Sequence, residues 1–93
     1  MKEITLFYMQ GCPYCVYAKK AVAELQKEDT KYGQIQINWV DENKDTELSG
    51  QYDYYYVPTI FYGKEKLYEA HPSESYKDVR AKVKGALDSV CAR

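Results

Sequence analysis

The sequence predicts an α/β domain in which a four-stranded mixed sheet is combined with three helices, in the order β-α-β-α-β-β-α. Short apolar stretches predict the strands, and longer segments with apolar residues every three or four positions predict the helices. A helix separates the first two strands, which are therefore expected to be parallel, whereas a later pair joined by a tight turn is expected to be antiparallel. The 93 residues are expected to form one domain over residues 1–93.

The first strand is predicted over residues 3–8 and the first helix over residues 13–28. The helix is predicted because apolar side chains recur on one face, at Cys15, Ala18, Val22 and Leu25. Pro13 suits the first helical turn, where its missing N–H costs little. The sequence therefore places Cys12 at the N-terminus of this helix.

The second strand is predicted over residues 34–40, after a turn at Tyr32-Gly33. Its residues alternate in polarity, so one half-buried face is expected to carry Ile35, Ile37 and Trp39.

A short second helix is predicted to begin at Asn43 or Asp45. Strands over residues 59–62 and 65–68 follow, and Gly63-Lys64 between them is typical of a hairpin turn.

The last helix is predicted to begin near Ser75, which forms a Ser-x-x-acid capping pattern with Asp78. Its apolar face is expected to carry Tyr76, Val79, Val83, Leu87 and Val90. Helices are expected on both faces of the sheet, because only then are all apolar helix faces buried.

The sequence Gly11-Cys12-Pro13-Tyr14-Cys15 is the strongest functional signal in the chain. A helix N-terminus has unpaired N–H groups and a positive dipole, so the pKa of the Cys12 thiol is expected to fall below the free value of roughly 8.5. The thiolate is the attacking species in disulfide exchange. Cys15 lies on the apolar face, so it is expected to be more buried and less acidic, as suits a resolving thiol.

A Cys-x-x-Cys pair is also half of a zinc site, and the other half needs a second pair of cysteine or histidine ligands. The remaining candidates are His71 and Cys91, which lie twenty residues apart. This spacing disfavours zinc, so no metal ligand is predicted. His71 remains a weak candidate for a proton donor, and Cys91 is interpreted as a thiol without a catalytic role.

The composition gives no sign of a nucleic-acid or membrane partner. The net charge is −1, the predicted pI is 5.8, and no apolar run approaches the ~18 residues of a membrane span. The first residues show no signal-peptide pattern, so we expect a cytoplasmic protein whose cysteine pair is redox-active. The eleven tyrosines are interpreted mainly as sheet residues, a few of which face the substrate.

Cys12-Pro13-Tyr14-Cys15 after a strand, Val57-Pro58 before another, and the order of elements together resemble the dithiol glutaredoxins of the thioredoxin superfamily. The resemblance covers nearly the whole chain and implies a thioredoxin fold and thiol–disulfide oxidoreductase activity. It implies that Cys12 attacks a substrate disulfide and that Cys15 resolves the resulting mixed disulfide. No bound cofactor or metal is implied.

The resemblance also implies a substrate site beside the two thiols, formed by Tyr14, Tyr56, Val57 and Pro58. The Val57–Pro58 peptide bond is expected to be cis, and the exposed backbone of Val57 is expected to pair with an extended substrate. Disulfide-containing proteins are the expected partners of a monomeric enzyme, and glutathione is a possible co-substrate.

Three features depart from the glutaredoxin pattern. Met9 replaces the basic residue that meets a glutathione carboxylate, and Tyr56 replaces the threonine before Val-Pro. The Gly-Gly-acid motif is missing from residues 67–75. The reductant is therefore either glutathione or a thioredoxin-reductase-type flavoenzyme, and both alternatives stay open at this point. An iron–sulfur carrier bridged through Cys12 and a non-catalytic binding module are weaker alternatives.

Overall fold

The computed structural model describes residues 2–93. The predicted order of strands and long helices is confirmed, and one short helix is added. The elements are β1 (Glu3–Tyr8), α1 (Pro13–Glu28), α2 (Thr30–Gly33), β2 (Gln36–Asp41), α3 (Thr46–Ser49), β3 (Thr59–Tyr62), β4 (Glu65–Glu69) and α4 (Tyr76–Cys91).

The four strands form one mixed sheet in the order β2-β1-β3-β4. As predicted, β1 and β2 are parallel, and β3 and β4 form an antiparallel hairpin. β3 also runs antiparallel to β1, and Leu6 lies opposite Trp39 on one side and Ile60 on the other. β1 is therefore a central strand, and its side chains Ile4, Leu6 and Phe7 are almost fully buried.

The two long helices, α1 and α4, pack against one another and against one face of the sheet. Most of the apolar residues that predicted each helix belong to this core, whereas Cys15 does not and Tyr76 only packs against it. The core members include Ile4, Leu6, Leu25, Tyr32, Ile35, Ile60, Tyr68, Val79, Val83, Leu87 and Val90. The predicted capping box is confirmed: the Ser75 hydroxyl accepts from the Asp78 N–H, and the Asp78 carboxylate accepts from the Ser75 N–H.

The expectation that helices cover both faces of the sheet is wrong. Phe7 and Phe61 project from the other face, and they pack against the rings of Tyr52 and Tyr54, which belong to the segment after α3. The Phe7 and Tyr54 rings are stacked with their centroids 5.0 Å apart. Aromatic rings bury a large apolar area each, so this cluster covers the face without a regular helix.

Three local predictions need correction. The predicted turn at Tyr32-Gly33 is the end of α2, because Asp29 caps this short helix by accepting from the Lys31 N–H. β2 begins at Gln36 rather than at residue 34. Trp39 lies on the expected face, but 38% of its surface is exposed because β2 is an edge strand.

α3 is a single turn that begins after Asp45, whose carboxylate accepts from the Leu48 N–H. The prediction of Asp45 as one of two possible starts is confirmed, and the helix ends three residues before Tyr52. Among residues 2–93, no helix combines the length and the apolar character needed to cross a membrane.

Candidate active site

Three chain segments meet at one end of the sheet, where β1 and β2 finish and β3 begins. Phe7 near the end of β1 pairs with Thr59 at the start of β3, so the residues after β1 and before β3 lie side by side. Tyr8 pairs with Asp41 at the end of β2, and the Glu42 N–H donates to the Tyr8 carbonyl over 2.9 Å. The loop before α1, the loop before β3 and the first residue after β2 are thus neighbours.

Cys12 is the N-cap residue of α1, as predicted. The turn before it needs Gly11, whose φ of +80° lies in the left-handed region that side chains rarely adopt. The Cys12 side chain does not cap the helix. Its thiol donates instead to the backbone carbonyl of Val57, with 3.7 Å between sulfur and oxygen.

The first turn of α1 carries no acidic residue, so no internal carboxylate offsets its dipole. Pro13 has no N–H, which leaves the Tyr14 N–H as the first backbone donor behind Cys12. A thiolate at Cys12 occupies the N-cap position. A side chain at this position can accept hydrogen bonds from the N–H groups of the second and third helical residues.

The two thiols differ less in burial than the sequence predicted. Cys12 is 5% exposed and Cys15 is 3% exposed. The remaining exposure of Cys12 opens into a surface cavity of about 330 Å³. The residues around this cavity, which we call the Cys12 cavity, are Met9, Gly11, Cys12, Pro13, Tyr14, Glu42, Tyr55, Tyr56 and Val57.

Cys15 lies behind Cys12 and does not line the cavity. Burial raises the pKa of the Cys15 thiol well above its ordinary value, and the nearby Cys12 and Glu42 raise it further. A hydrogen bond from the Met9 backbone acts in the opposite direction but is outweighed. The surroundings of Cys15 therefore favour the protonated form of its thiol.

The Val57–Pro58 peptide bond is cis, as expected from the resemblance. Pro58 is fully buried, while Val57 is half-buried at the Cys12 cavity. The Pro58 carbonyl accepts from the Ala70 N–H over 3.0 Å. Within residues 2–93, the Val57 N–H is bonded to no acceptor, so it is available to an extended chain laid along this edge.

Tyr55 and Tyr56 form the outer wall of the cavity, and Glu69 of β4 fixes their backbone. The Glu69 carboxylate accepts from both N–H groups, over 2.6 Å and 2.8 Å, and from the Lys66 ammonium over 2.7 Å. Burial alone would raise the pKa of Glu69, but these three bonds together outweigh it and lower the pKa to about 2. An ionised carboxylate therefore holds the backbone of this aromatic wall in place.

Tyr14, in the first turn of α1, is half-buried. Its hydroxyl oxygen accepts from the Ser73 N–H over 2.8 Å. This bond joins the cysteine loop to the loop before α4, where Ser73 has a φ of +76°. Tyr14 thus connects two loops as well as lining the cavity.

The other candidates lie apart from the two thiols. His71 is exposed and borders a different surface pocket with Glu74, Asp78 and Lys82. Cys91 is half-buried at the end of α4, and its thiol donates to the Lys31 carbonyl over 3.7 Å. Among residues 2–93, no three histidine, cysteine or acidic side chains are grouped as metal ligands.

Known structures with a similar fold identify the architecture. A malarial protein matches with a TM-score of 0.60 and 25% identity, over 91% of this chain and 96% of its own. A point mutant of thioredoxin from Halobacterium salinarum NRC-1 matches with a TM-score of 0.57 and 17% identity, over 91% of this chain and 74% of its own.

This chain has the thioredoxin fold.

Part of human ERp44 in its zinc-bound form also matches, with a TM-score of 0.58 and 17% identity, over 88% of this chain and 26% of its own. No protein-family profile matches the sequence, and no curated protein matches it.

Three residues at the site were not predicted from the sequence. Glu42 and Tyr55 line the Cys12 cavity, and Glu69 bonds to the backbone of Tyr55. The prediction that the first two strands are parallel contained a signal for Glu42, because the residue after β2 must lie beside the residue after β1. Tyr55 and Glu69 gave no such signal. Their contact depends on the path of an irregular loop, which no periodicity predicts.

Proposed function

We propose that this protein is a dithiol–disulfide oxidoreductase that reduces disulfides in polypeptide substrates. Cys12 is the attacking thiol and Cys15 the resolving thiol. The observation that carries the proposal is the placement of Cys12: a helix N-cap whose sulfur contacts the Val57 carbonyl at the base of an open cavity. The thioredoxin fold agrees with this class of activity.

In the first step, the Cys12 thiolate attacks one sulfur of the substrate disulfide. The new bond joins the Cys12 sulfur to the substrate, and the other substrate sulfur leaves with the electron pair and takes up a proton. A substrate chain that pairs with the free Val57 N–H lies along the cavity wall. Its disulfide is then held beside the Cys12 sulfur, which the Val57 carbonyl already contacts.

In the second step, the Cys15 thiolate attacks the Cys12 sulfur, and the second substrate thiol leaves. Because the pKa of Cys15 is raised, this thiol is a poor nucleophile until its proton is removed. Cys15 therefore does not compete with Cys12 for the substrate. It reacts once the mixed disulfide has placed a target sulfur next to it.

The charge of the cavity favours a polypeptide over glutathione. Glutathione carries two carboxylates, which need positively charged partners. None of the residues around the Cys12 cavity is lysine, arginine or histidine, and Glu42 there is acidic. The N-terminus of α4, another possible carboxylate site, already holds its own Asp78 carboxylate. Met9, Tyr14, Tyr55 and Tyr56 offer apolar and aromatic contacts instead.

This chemistry supports the thioredoxin-like alternative, in which a thioredoxin-reductase-type flavoenzyme reduces the Cys12–Cys15 disulfide. Glutathione as reductant remains the second candidate, supported by the Cys-Pro-Tyr-Cys resemblance. The deciding experiment measures turnover of a peptide disulfide in two coupled systems. One contains NADPH with thioredoxin reductase, and the other contains glutathione, glutathione reductase and NADPH.

We expect turnover in the thioredoxin-reductase system that exceeds the glutathione-coupled rate at least about tenfold. Robust turnover with glutathione alone would reject the choice of reductant, although not the dithiol chemistry. The Cys12→Ser variant is the matched control, because a non-catalytic binding module predicts that this change leaves function intact. Turnover by Cys12→Ser at the wild-type rate would reject the enzymatic proposal.

A further inference from the structure

Glu42 is the one acidic residue in the wall of the Cys12 cavity, and no basic residue accompanies it there in the described part of the chain. It follows directly after β2, and its N–H donates to the Tyr8 carbonyl over 2.9 Å. Its carboxylate accepts from the Tyr54 hydroxyl over 2.7 Å, and the Tyr54 ring is stacked on that of Phe7. Both the backbone and the carboxylate of Glu42 are therefore held in place.

The Glu42 carboxylate has no cation beside it among residues 2–93. Burial and the bond to Glu42 raise the pKa of Tyr54 far above its ordinary value, so Tyr54 donates a neutral hydroxyl that does not cancel the charge. This bond occupies one carboxylate oxygen, and the other is bonded to no donor of the described chain. Seven other carboxylates lie within 3.9 Å of a lysine or arginine nitrogen: Glu24, Glu28, Asp29, Glu65, Glu69, Glu74 and Asp88.

The tyrosines of the cavity wall also have ring faces without a cation. Tyr55 is 88% exposed and Tyr56 is 50% exposed, and within residues 2–93 no lysine or arginine lies over either ring. The Lys66 ammonium is bonded to the Glu69 carboxylate instead. Five tyrosines elsewhere have a cation of this chain 3.9–5.5 Å from the ring centroid: Tyr8, Tyr32, Tyr52, Tyr62 and Tyr76.

We propose that the Cys12 cavity selects polypeptide disulfides that have an arginine two residues from the reacting cysteine, and that Glu42 is the residue that recognises this arginine. A guanidinium can donate to the free oxygen of Glu42 and stack on a tyrosine ring of the wall. Its planar fork suits both contacts better than the compact ammonium of lysine does. This inference rests on the proposed dithiol function and names the substrate class of that site.

The spacing of two residues follows from a substrate chain that lies extended along Val57. Alternate side chains of an extended chain point to the same side and are roughly 6.8 Å apart. When the substrate cysteine points at Cys12, the side chains two residues away face the same cavity, whereas the adjacent ones face away. The cavity of about 330 Å³ offers Met9 and the tyrosine rings to the apolar stem of the arginine.

The experiment measures how fast the full chain reduces peptide disulfides without an auxiliary reductant. The parent carries Cys91→Ser and is fully reduced, so Cys12 and Cys15 supply both electrons. One peptide disulfide becomes two thiols, and the protein dithiol becomes a disulfide. Each substrate is a disulfide-linked dimer of a short peptide with arginine, citrulline or glutamate two residues to either side of its cysteine.

The readout separates recognition from the intrinsic reactivity of each peptide. Samples are quenched with acid, and chromatography of the released peptide thiol gives a second-order rate constant. Each constant is divided by that of dithiothreitol with the same peptide, because a nearby charge changes the reactivity of any disulfide. Citrulline keeps the shape of arginine without its charge, so the arginine-to-citrulline ratio of normalised constants reports the recognition of the charge.

We expect this ratio to be on the order of tenfold in the parent, as a charge-assisted hydrogen bond provides. Glu42→Gln keeps an acceptor for Tyr54 but removes the charge, so its ratio should fall to within about twofold of one. Glu42→Lys should invert the preference and favour the glutamate peptide over the arginine peptide. Any effect of a variant on the Cys12 thiolate cancels, because all peptides meet the same thiolate.

Two controls complete the design. Glu47→Gln changes the net charge by the same amount at an exposed carboxylate outside the cavity, so its ratio should match the parent's. The second control needs only the parent: arginines directly adjacent to the cysteine should give no preference over citrulline.

A parent ratio within about twofold of one would overturn the inference, and so would an unchanged ratio in Glu42→Gln or an equal fall in Glu47→Gln. A preference that persists with the adjacent arginines would overturn the assigned spacing. In each of these cases the peptides are still reduced, so the proposed function stands. Failure of the parent to release thiol from any of the peptides would overturn the proposed function itself.

Discussion

The Cys12 sulfur lies 3.7 Å from the backbone carbonyl oxygen of Val57, a residue 45 positions away in the chain. This contact joins the loop before α1 to the loop before β3. In the dithiol form, the Cys12 thiol has a proton to donate to this carbonyl. A Cys12 thiolate has none, and its charge is stabilised instead by the N-terminus of α1. In the proposed reaction, a substrate sulfur has to arrive at this contact.

Removal of the resolving thiol is expected to trap the reaction at its midpoint. In Cys15→Ser, the mixed disulfide between Cys12 and a peptide substrate has no internal thiol to release it. Intact-mass measurement after reaction with a peptide disulfide should show one peptide bound per chain. Cys12→Ser should bind none, because Cys15 is buried and its proton is firmly held. Equal adducts on the two variants would contradict the assignment of roles.

A single basic residue at position 9 is expected to improve the use of glutathione. Met9 lines the Cys12 cavity and is 36% exposed, so a lysine there can place its ammonium in a cavity that has no cation. We expect Met9→Lys to raise turnover of a glutathione mixed disulfide several-fold.

The matched control for this change is Val16→Lys. Val16 is 60% exposed on α1 and does not line the cavity, so its lysine adds the same charge outside the site. An equal gain in Val16→Lys would show that net charge, rather than the cavity, controls the use of glutathione.

Loss of the Glu69 carboxylate is expected to loosen the Tyr55-Tyr56 wall. Glu69→Gln weakens acceptor bonds to two backbone N–H groups and a lysine, so we expect the free energy of unfolding to fall by about 1–2 kcal/mol. Alkylation of Cys12 should become faster as its cover opens. Glu65→Gln, which changes an exposed carboxylate of the same strand, is the control for both measurements.

The Glu69 carboxylate is also expected to make the free energy of unfolding depend on pH. The pKa of Glu69 in the folded protein, about 2, lies below its ordinary value of about 4.3. Its stabilisation is therefore complete above pH 4.3 and is lost as pH falls from there towards 2. Chemical denaturation at several pH values should show the difference between wild type and Glu69→Gln shrinking across that window. A difference that is constant over the window would contradict this role.

The aromatic cluster on the face of the sheet opposite α1 and α4 is expected to be a main source of stability. Phe61 is 2% exposed and contacts Phe7, Tyr52 and Tyr54. Phe61→Ala should reduce the free energy of unfolding by about 3–5 kcal/mol, through lost burial and the cavity left behind. Tyr55→Ala is the comparison: Tyr55 is 88% exposed, so its loss should change the unfolding free energy by less than about 0.5 kcal/mol. Similar losses in the two variants would contradict the account of this face.

The sequence predicted the parts of the fold that depend on repeated local patterns. The spacing of apolar residues gave α1 and α4, and the Ser75–Asp78 pattern gave the start of α4. Positions whose surroundings come from distant segments were predicted less well. Trp39 is exposed because β2 lies at the sheet edge, and strand order is not encoded in one strand's alternation.

The candidate site shows the same division. Cys12, Cys15 and the cis bond before Pro58 belong to two short motifs, so the sequence alone singled them out. Glu69 lies 14 residues from Tyr55 and accepts a hydrogen bond from its backbone N–H. Every residue type except proline has such an N–H, so the identity of Tyr55 did not indicate this contact. The small difference in exposure between the two cysteines was also missed. Tyr55, Tyr56 and Met9 lie around the same cavity as Cys12, and none of them belongs to its helix.

Cys12 and Cys15 are expected to differ in reactivity, because Cys12 lies at a helix N-terminus beside an open cavity and Cys15 lies behind it. Alkylation by iodoacetamide at neutral pH tests this most directly, with Cys15→Ser and Cys12→Ser each placed in a Cys91→Ser background. We expect Cys12 to be modified at least about tenfold faster than Cys15. Equal rates, or faster modification of Cys15, would contradict it.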